Sequence, residues 1–226
     1  MSDDNKNVEI SIVESIGSSN IVGIASDFGE VLLDNVVDAG KEIPVFGVLV
    51  KSVDGIIHVR EQLYLKKIFR FLAKLGEIPT EKRQKFIKEH FKNEDEKRKF
   101  GEARLLMLDS INHMDKAPIL ACIWKACIEE QIDRDTAEIL ETMVDRAHLP
   151  HLMSLVNSEN LTETIKLHLV TVGFFDANIL PMDKETGKIY NSFGMVLTQD
   201  GLNAKMSGSI NDYGRQLVDI IRDNCK

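Results

Sequence analysis

The sequence predicts a mainly α protein: a helical bundle followed by a small α+β, winged-helix-like C-terminal module with one β-hairpin. Three observations predict it. Apolar residues recur at three- and four-residue spacings through residues 29–157, the pattern of helices that each bury one face. Gly76, Pro79, Pro118 and Pro150 punctuate that pattern at lengths ordinary for globular helices. Beyond residue 158, Asp200-Gly201 stands between SFGMVLT and LNAKMS, a strong short-range hairpin signal.

The first nine residues are polar, and residues 10–28 mix β-branched residues with Gly17 and Gly23 in no clean period. A short strand pair and a loose helix both fit there, so 1–28 stands as an N-terminal segment without assigned structure. Val31, Leu32, Asn35, Val36 and Ala39 then predict a helix that stops at Gly40. Pro44 suits the first turn of the next helix, where a missing N–H has no cost. Residues 43–50 are the most apolar run of the chain. In the basic helix over 60–75, Leu65, Ile68, Phe69, Leu72 and Leu75 line one face, while Lys66, Arg70 and Lys74 form a stripe beside Lys67. Thr80 reads as the cap of a short charged helix over 81–92, with Phe86, Ile87 and Phe91 inward. The acids of EDEKRK suit the positive end of a helix dipole. Pro118 opens a helix with Ile119, Leu120, Ile123, Trp124, Cys127 and Ile128 on a wide apolar face, and Asp133 caps another holding Ala137, Leu140, Met143 and Val144. His148, Pro150 and His151 mark the joint after it. The module over 158–226 begins with a capping box from Asn160 and Glu163, a helix closed by Gly173, then the hairpin and a last helix from Asn211.

Length and composition exclude several classes. At 226 residues, with 43% apolar and 28% charged residues, the chain is no collagen, coiled-coil rod or disordered polymer. No apolar run approaches the roughly 20 residues of a membrane-spanning helix, and the polar start MSDDNKNVE is no signal peptide. A cytoplasmic protein is expected, peripheral to the inner membrane if its basic stripe meets lipid. Charge is uneven: residues 58–104 carry 14 Lys+Arg against 8 Asp+Glu, and residues 107–163 carry 4 against 11, within a net charge of −8. Such stretches can neutralise each other as neighbours, or the first can serve anionic partners.

Catalytic spacings are missing. There is no phosphate loop, dinucleotide fingerprint, nucleophile elbow or paired-His zinc helix. Asp145, His148 and His151 would share a helix face, but Pro150 interrupts it, so a cap and a core contact outweigh a metal site. His113 with Asp109 and Asp115 is a similar loose cluster. Cys122 and Cys127 lie about 140° apart on a helix and read as small buried hydrophobes rather than shared ligands. No catalytic, cofactor-binding or metal-binding residue is assigned and no cofactor is expected. The candidate site is the stripe Lys66, Lys67, Arg70 and Lys74, as an anionic-surface contact.

EIPVFGVLVKSVDGIIHVREQLYLKKIFRFL resembles the recurrent core of a broad group of bacterial helical proteins with an Ile-Pro-x-x-Gly turn, an Arg and a Leu-Lys-Lys-Ile-x-x-Phe-Leu helix. The matching residues are Ile43, Pro44, Gly47, Arg60, Leu65, Lys66, Lys67, Ile68, Phe71 and Leu72. The resemblance implies no catalytic motif, and it implies a prophage or phage-defence setting. The leading expectation is therefore a non-enzymatic interaction protein with a protein partner, itself or another chain. Two alternatives stand beside it. One is a membrane-active effector using 43–50 and the basic helix 60–75. The other is a nucleic-acid-binding regulator using the C-terminal wing, which the scarcity of Lys and Arg there disfavours.

Overall fold

A computed structural model describes residues 7–22, 42–51, 59–158, 161–177, 189–190, 195–197, 203–204 and 208–225. The helix expected over 29–40, the Asn160 cap and the Asp200-Gly201 turn lie outside them. The described residues are mainly helical with small antiparallel sheets, and the chain divides into two compact units, Met1–Ala137 and Glu138–Lys226. The division falls inside a helix rather than at 157.

In the first unit the helices are α1 (Val8–Gly17), α2 (Pro44–Lys51), α3 (Val59–Leu75), α4 (Thr80–His90), α5 (Glu94–Ser110) and α6 (Lys116–Ile128), with a 3-10 turn at Ser19–Ile21. Within the ambiguous segment, Val8–Gly17 is thus a helix. Its period was obscured because Ser11 and Ser15 share the buried face with Ile12, Val13 and Ile16. Each serine hydroxyl donates back to a main-chain carbonyl of its own helix, Val8 and Ser11 respectively, both at 2.7 Å. Ser15 also accepts the N–H of Val45 at 3.0 Å, which supplies a partner to an orphan donor at the start of α2. Ile43, Val45 and Phe46 are buried, as a central helix requires.

Gly101 on α5 faces the backbone of α1 so closely that a Cβ there would collide with the Glu9 carbonyl oxygen. Glycine is needed for the approach, not for its dihedral freedom. Around Trp124 an aromatic cluster closes the core: Phe100 stands edge-on at 5.0 Å, Phe86 at 6.4 Å, and Phe91 lies 4.7 Å from Phe100. The buried Arg104 guanidinium sits over Trp124 at 4.2 Å and over Phe100 at 4.8 Å, where the ring faces attract its charge.

Arg83 is fully buried at the C-terminal end of α1. It donates to the Ile16 and Ser18 carbonyls, to the Ile78 carbonyl at 3.0 Å and to the Thr80 hydroxyl at 3.1 Å. Thr80 is therefore the first residue of α4 rather than its cap, which is Pro79, and its hydroxyl serves the arginine instead.

The helix α7 (Arg134–Arg146) begins under Asp133, whose carboxylate accepts the Thr136 N–H at 2.7 Å as expected of a cap. That bond holds the Asp133 carboxyl below its usual range. The second unit continues with α8 (Leu149–Val156), α9 (Glu163–Val172) and α10 (Asp212–Asn224). Pro150 sits in the first turn of α8, so it starts a helix where it was expected only to end one. Thr162 caps α9 in place of Asn160, and Gly173 closes it in the left-handed region at φ 98°.

Among the described residues, five short strands lie between α9 and α10. β1 (Phe175–Ala177) pairs antiparallel with β5 (Gly208–Ile210), Phe175 opposite Ile210. Between them β2 (Ile189–Tyr190), β3 (Met195–Leu197) and β4 (Asn203–Ala204) pair in order, Ile189 opposite Leu197 and Met195 opposite Ala204. The expected single hairpin is the β3–β4 pair. The β1–β5 pair carried no local signal, because three-residue strands show no period and their partners lie far apart in sequence.

Candidate functional site

The basic stretch of the first unit separates into two faces, and only one of them is neutralised. On the first face Arg70 pairs with Asp115 at 2.7 Å, Lys74 with Glu77 at 2.7 Å, and Lys67 donates to the Asp109 and Ile111 carbonyls at 3.0 and 2.7 Å. Arg60 reaches Asp109 at 3.4 Å. Of the stripe singled out in the sequence, Lys67, Arg70 and Lys74 are thus engaged within the protein, and Lys66 is half-buried. Further along, Lys82 pairs with Glu129 at 3.0 Å and Lys85 with Glu130 at 2.8 Å. Apart from Glu77, the acidic partners lie within residues 107–130.

Tyr64 lies within this paired face. Its hydroxyl donates to the Leu105 carbonyl at 3.3 Å, and burial together with the Asp109 carboxylate pushes its pKa up to about 12. The folded protein holds that proton more tightly than the unfolded chain, whose tyrosine has the ordinary value of 10.0. The stabilisation is therefore present below the ordinary value and is lost as pH rises from there towards 12. In an alkaline titration followed by phenolate absorbance, a late component near pH 12 is expected to vanish in Tyr64→Phe.

The second face is a groove of about 500 Å³ between α1 and α4. Its floor is apolar: Val13 and Phe91 are buried, and Gly17 lies where a Cβ would press on the Ile87 side chain at 3.0 Å. Gln84 donates to the Gly17 carbonyl at 3.1 Å and ties the two helices at one end. The rim carries Lys88, Lys92 and Lys97, with Glu14 opposite. None of the three lysines makes an ion pair among the described residues. The start of α5 is capped without them: Asn93 accepts the Glu96 N–H at 2.9 Å, and the Glu96 carboxylate accepts the Lys92 backbone N–H at 2.7 Å. This Asn-x-x-Glu box is legible in the sequence, and it starts α5 next to Lys92, one of the groove residues.

The remaining sequence candidates are placed as follows. His113 meets Asp115 at 3.6 Å in an exposed cluster whose acids already serve Arg60 and Arg70. His148 and His151 come together with His168, which the sequence did not suggest. Cys122 and Cys127 are both buried, but only Cys127 is a free thiol: Cys122 is disulfide-bonded, as is Cys225, which corrects the reading of Cys122 as a small buried hydrophobe. Among the described residues no group of three or more His, Cys, Asp or Glu side chains is placed to hold a metal ion, and no helix is long and apolar enough to cross a membrane. Comparison with protein-family models, curated proteins and solved structures finds no match for the chain.

Proposed function

We propose that the chain is a non-enzymatic interaction protein that takes an acidic, amphipathic segment of a protein partner into the groove between α1 and α4. One observation carries the reading: Arg60, Arg70, Lys74, Lys82 and Lys85 each meet an acid, whereas Lys88, Lys92 and Lys97 make no ion pair among the described residues and stand together around an apolar floor. An apolar floor with three lysines against the single Glu14 in its lining matches a helix-in-groove mode, where buried side chains give affinity and rim charges give orientation and on-rate.

The two alternatives have less support. A membrane effector needs the 43–50 run and the stripe at the surface, whereas Ile43, Val45 and Phe46 are buried and Lys67, Arg70 and Lys74 are engaged. A nucleic-acid role for residues 158–226 as a winged-helix-like module needs cations for phosphates. There Lys166 pairs with Glu163 at 3.1 Å, Arg215 donates to Asp212 and the Ile210 carbonyl, and Arg222 to the Val156 carbonyl. The prophage or defence setting rests on the sequence resemblance alone.

The test uses two synthetic amphipathic peptides, one with a Leu face and a Glu face, the other with Lys in place of Glu. The acidic peptide is expected to bind the full chain with an affinity that falls with salt, and roughly tenfold or more in Lys88→Glu/Lys92→Glu/Lys97→Glu. Equal binding of both peptides, or no effect of the triple reversal, would sink the reading.

A further inference from the structure

We propose that the second unit binds a small amphiphilic monocarboxylate in a pocket between α8, α10 and the β1–β5 pair, with Arg222 holding the carboxylate. The pocket has a volume of about 400 Å³ and is lined within residues 155–222. Its walls are largely apolar: Leu155 of α8, Phe175 of β1 and Val218 of α10 are buried, and Leu161 and Ile210 are half-buried beside them. Pockets of roughly 300–1,000 Å³ with apolar walls and a few placed polar groups suit small-molecule ligands.

The charged groups come from one stripe of α10. Arg215, Val218, Asp219 and Arg222 follow at the three- and four-residue steps that share a helix face. Arg215 is neutralised, since it donates to Asp212 and to the Ile210 carbonyl, both at 2.6 Å. Arg222 differs. Its Nε and Nη2 donate to the Val156 carbonyl at 3.0 and 2.7 Å, and Nη2 also donates to the Ser158 hydroxyl. Those acceptors are neutral. The Val156 carbonyl is among the last of α8, which lack partners within their helix, so the end of that helix positions the guanidinium. Among the described residues the N–H groups of Nη1 have no acceptor, and no carboxylate pairs with the arginine. Asp219, on the same stripe, makes no hydrogen bond or ion pair among them either.

A carboxylate matches what is left over. A guanidinium already fixed by neutral acceptors loses little freedom on binding, and a charged acceptor makes the strongest hydrogen bonds to it. An apolar tail then covers Leu155, Phe175 and Val218, and its burial adds affinity in proportion to its length. A cationic head would meet two arginines with only Asp219 of the lining in its favour. One remaining guanidinium edge serves one anionic group rather than a row of phosphates, so the pocket lends nothing to a nucleic-acid role.

Titration calorimetry of the full chain with octanoate, octanol and octylamine, which share one tail, tests the proposal. Octanoate is expected to bind roughly tenfold or more tightly than the other two, and hexanoate roughly tenfold more weakly than octanoate for the methylenes it lacks. Arg222→Gln is expected to weaken octanoate roughly tenfold or more while leaving octanol unchanged. That substitution also removes a bond to the end of α8, so Asp219→Asn supplies an independent arm. It breaks no bond among the described residues, and loss of its charge is expected to tighten octanoate roughly threefold with the helical dichroism unchanged. No octanoate binding, equal affinity for octanoate and octanol, or an affinity that Asp219→Asn leaves unmoved would overturn the proposal.

Discussion

Arg83→Met is expected to lower the unfolding free energy of the first unit by about 4 kcal/mol, a large share of the roughly 5–15 kcal/mol that stabilises a typical domain. The side chain is fully buried, and its guanidinium donates to the carbonyls of Ile16, Ser18 and Ile78 and to the Thr80 hydroxyl. Ile16 lies in the last turn of α1, where carbonyls have no partner within the helix, and Ser18 follows it. Methionine fills similar space but leaves these acceptors in an apolar setting, at about 1–3 kcal/mol for each that water cannot reach. Burial also pulls the guanidinium pKa below its ordinary value, with Glu81 opposing, yet an arginine stays charged at neutral pH. Arg83→Lys separates charge from geometry, because an ammonium has neither the planar fork nor its fixed spread of donors. Lysine is expected to recover less than half of the loss. Urea unfolding of the three proteins checks this, and a methionine variant within about 1 kcal/mol of wild type would remove Arg83 from its role at the end of α1.

Gly101→Ala is the second large effect, a destabilisation of about 3 kcal/mol against a helix propensity that by itself favours alanine by about 1 kcal/mol. The new methyl group meets the main chain of α1 at Glu9, and a backbone cannot rotate aside as a side chain can. Relief requires α1 to move off α5, which would take Val13 and Gly17 away from the groove floor. Ala103→Gly, at an exposed site on the same helix, is the matched control and should cost only the propensity difference of about 1 kcal/mol. A second readout follows from the groove: binding of the acidic peptide should weaken in Gly101→Ala and persist in Ala103→Gly.

Helices with a clean apolar face were legible. Leu65, Ile68, Phe69, Leu72 and Leu75 are all buried on α3, and Leu217, Ile220 and Ile221 on α10. Asp133, Gly173 and Asn211 act at helix ends as their residue types suggest, Asn211 accepting the Gly214 N–H at 3.0 Å. What stayed hidden depends on partners distant in sequence. Serines on a buried face look like breaks in a pattern until their hydroxyls are seen returning to carbonyls one turn back. The charge of Arg83 reads as surface until the end of α1 is brought against it. The groove lysines escape a reading of local spacing for the same reason. Counting cations found the basic stretch, but the face left over is decided by the acids that other helices present. Among the described residues Lys88, Lys92 and Lys97 make no ion pair, whereas Lys67, Arg70 and Lys74 are engaged. The histidine trio needed α9 beside α8, which no local spacing announces.

Trp124 has an optical consequence. It is the one tryptophan of the chain, it is 1% exposed, and it belongs to the first unit. Its indole is held between Phe100 and a guanidinium, so its emission should be blue-shifted and shielded from soluble quenchers such as iodide until those neighbours separate. Fluorescence excited at the red edge therefore reports on the surroundings of Trp124 in the first unit, while far-ultraviolet dichroism sums the helices of both units. Where the two signals part along a denaturant or pH series, the divergence measures how independently the second unit melts, with no label introduced.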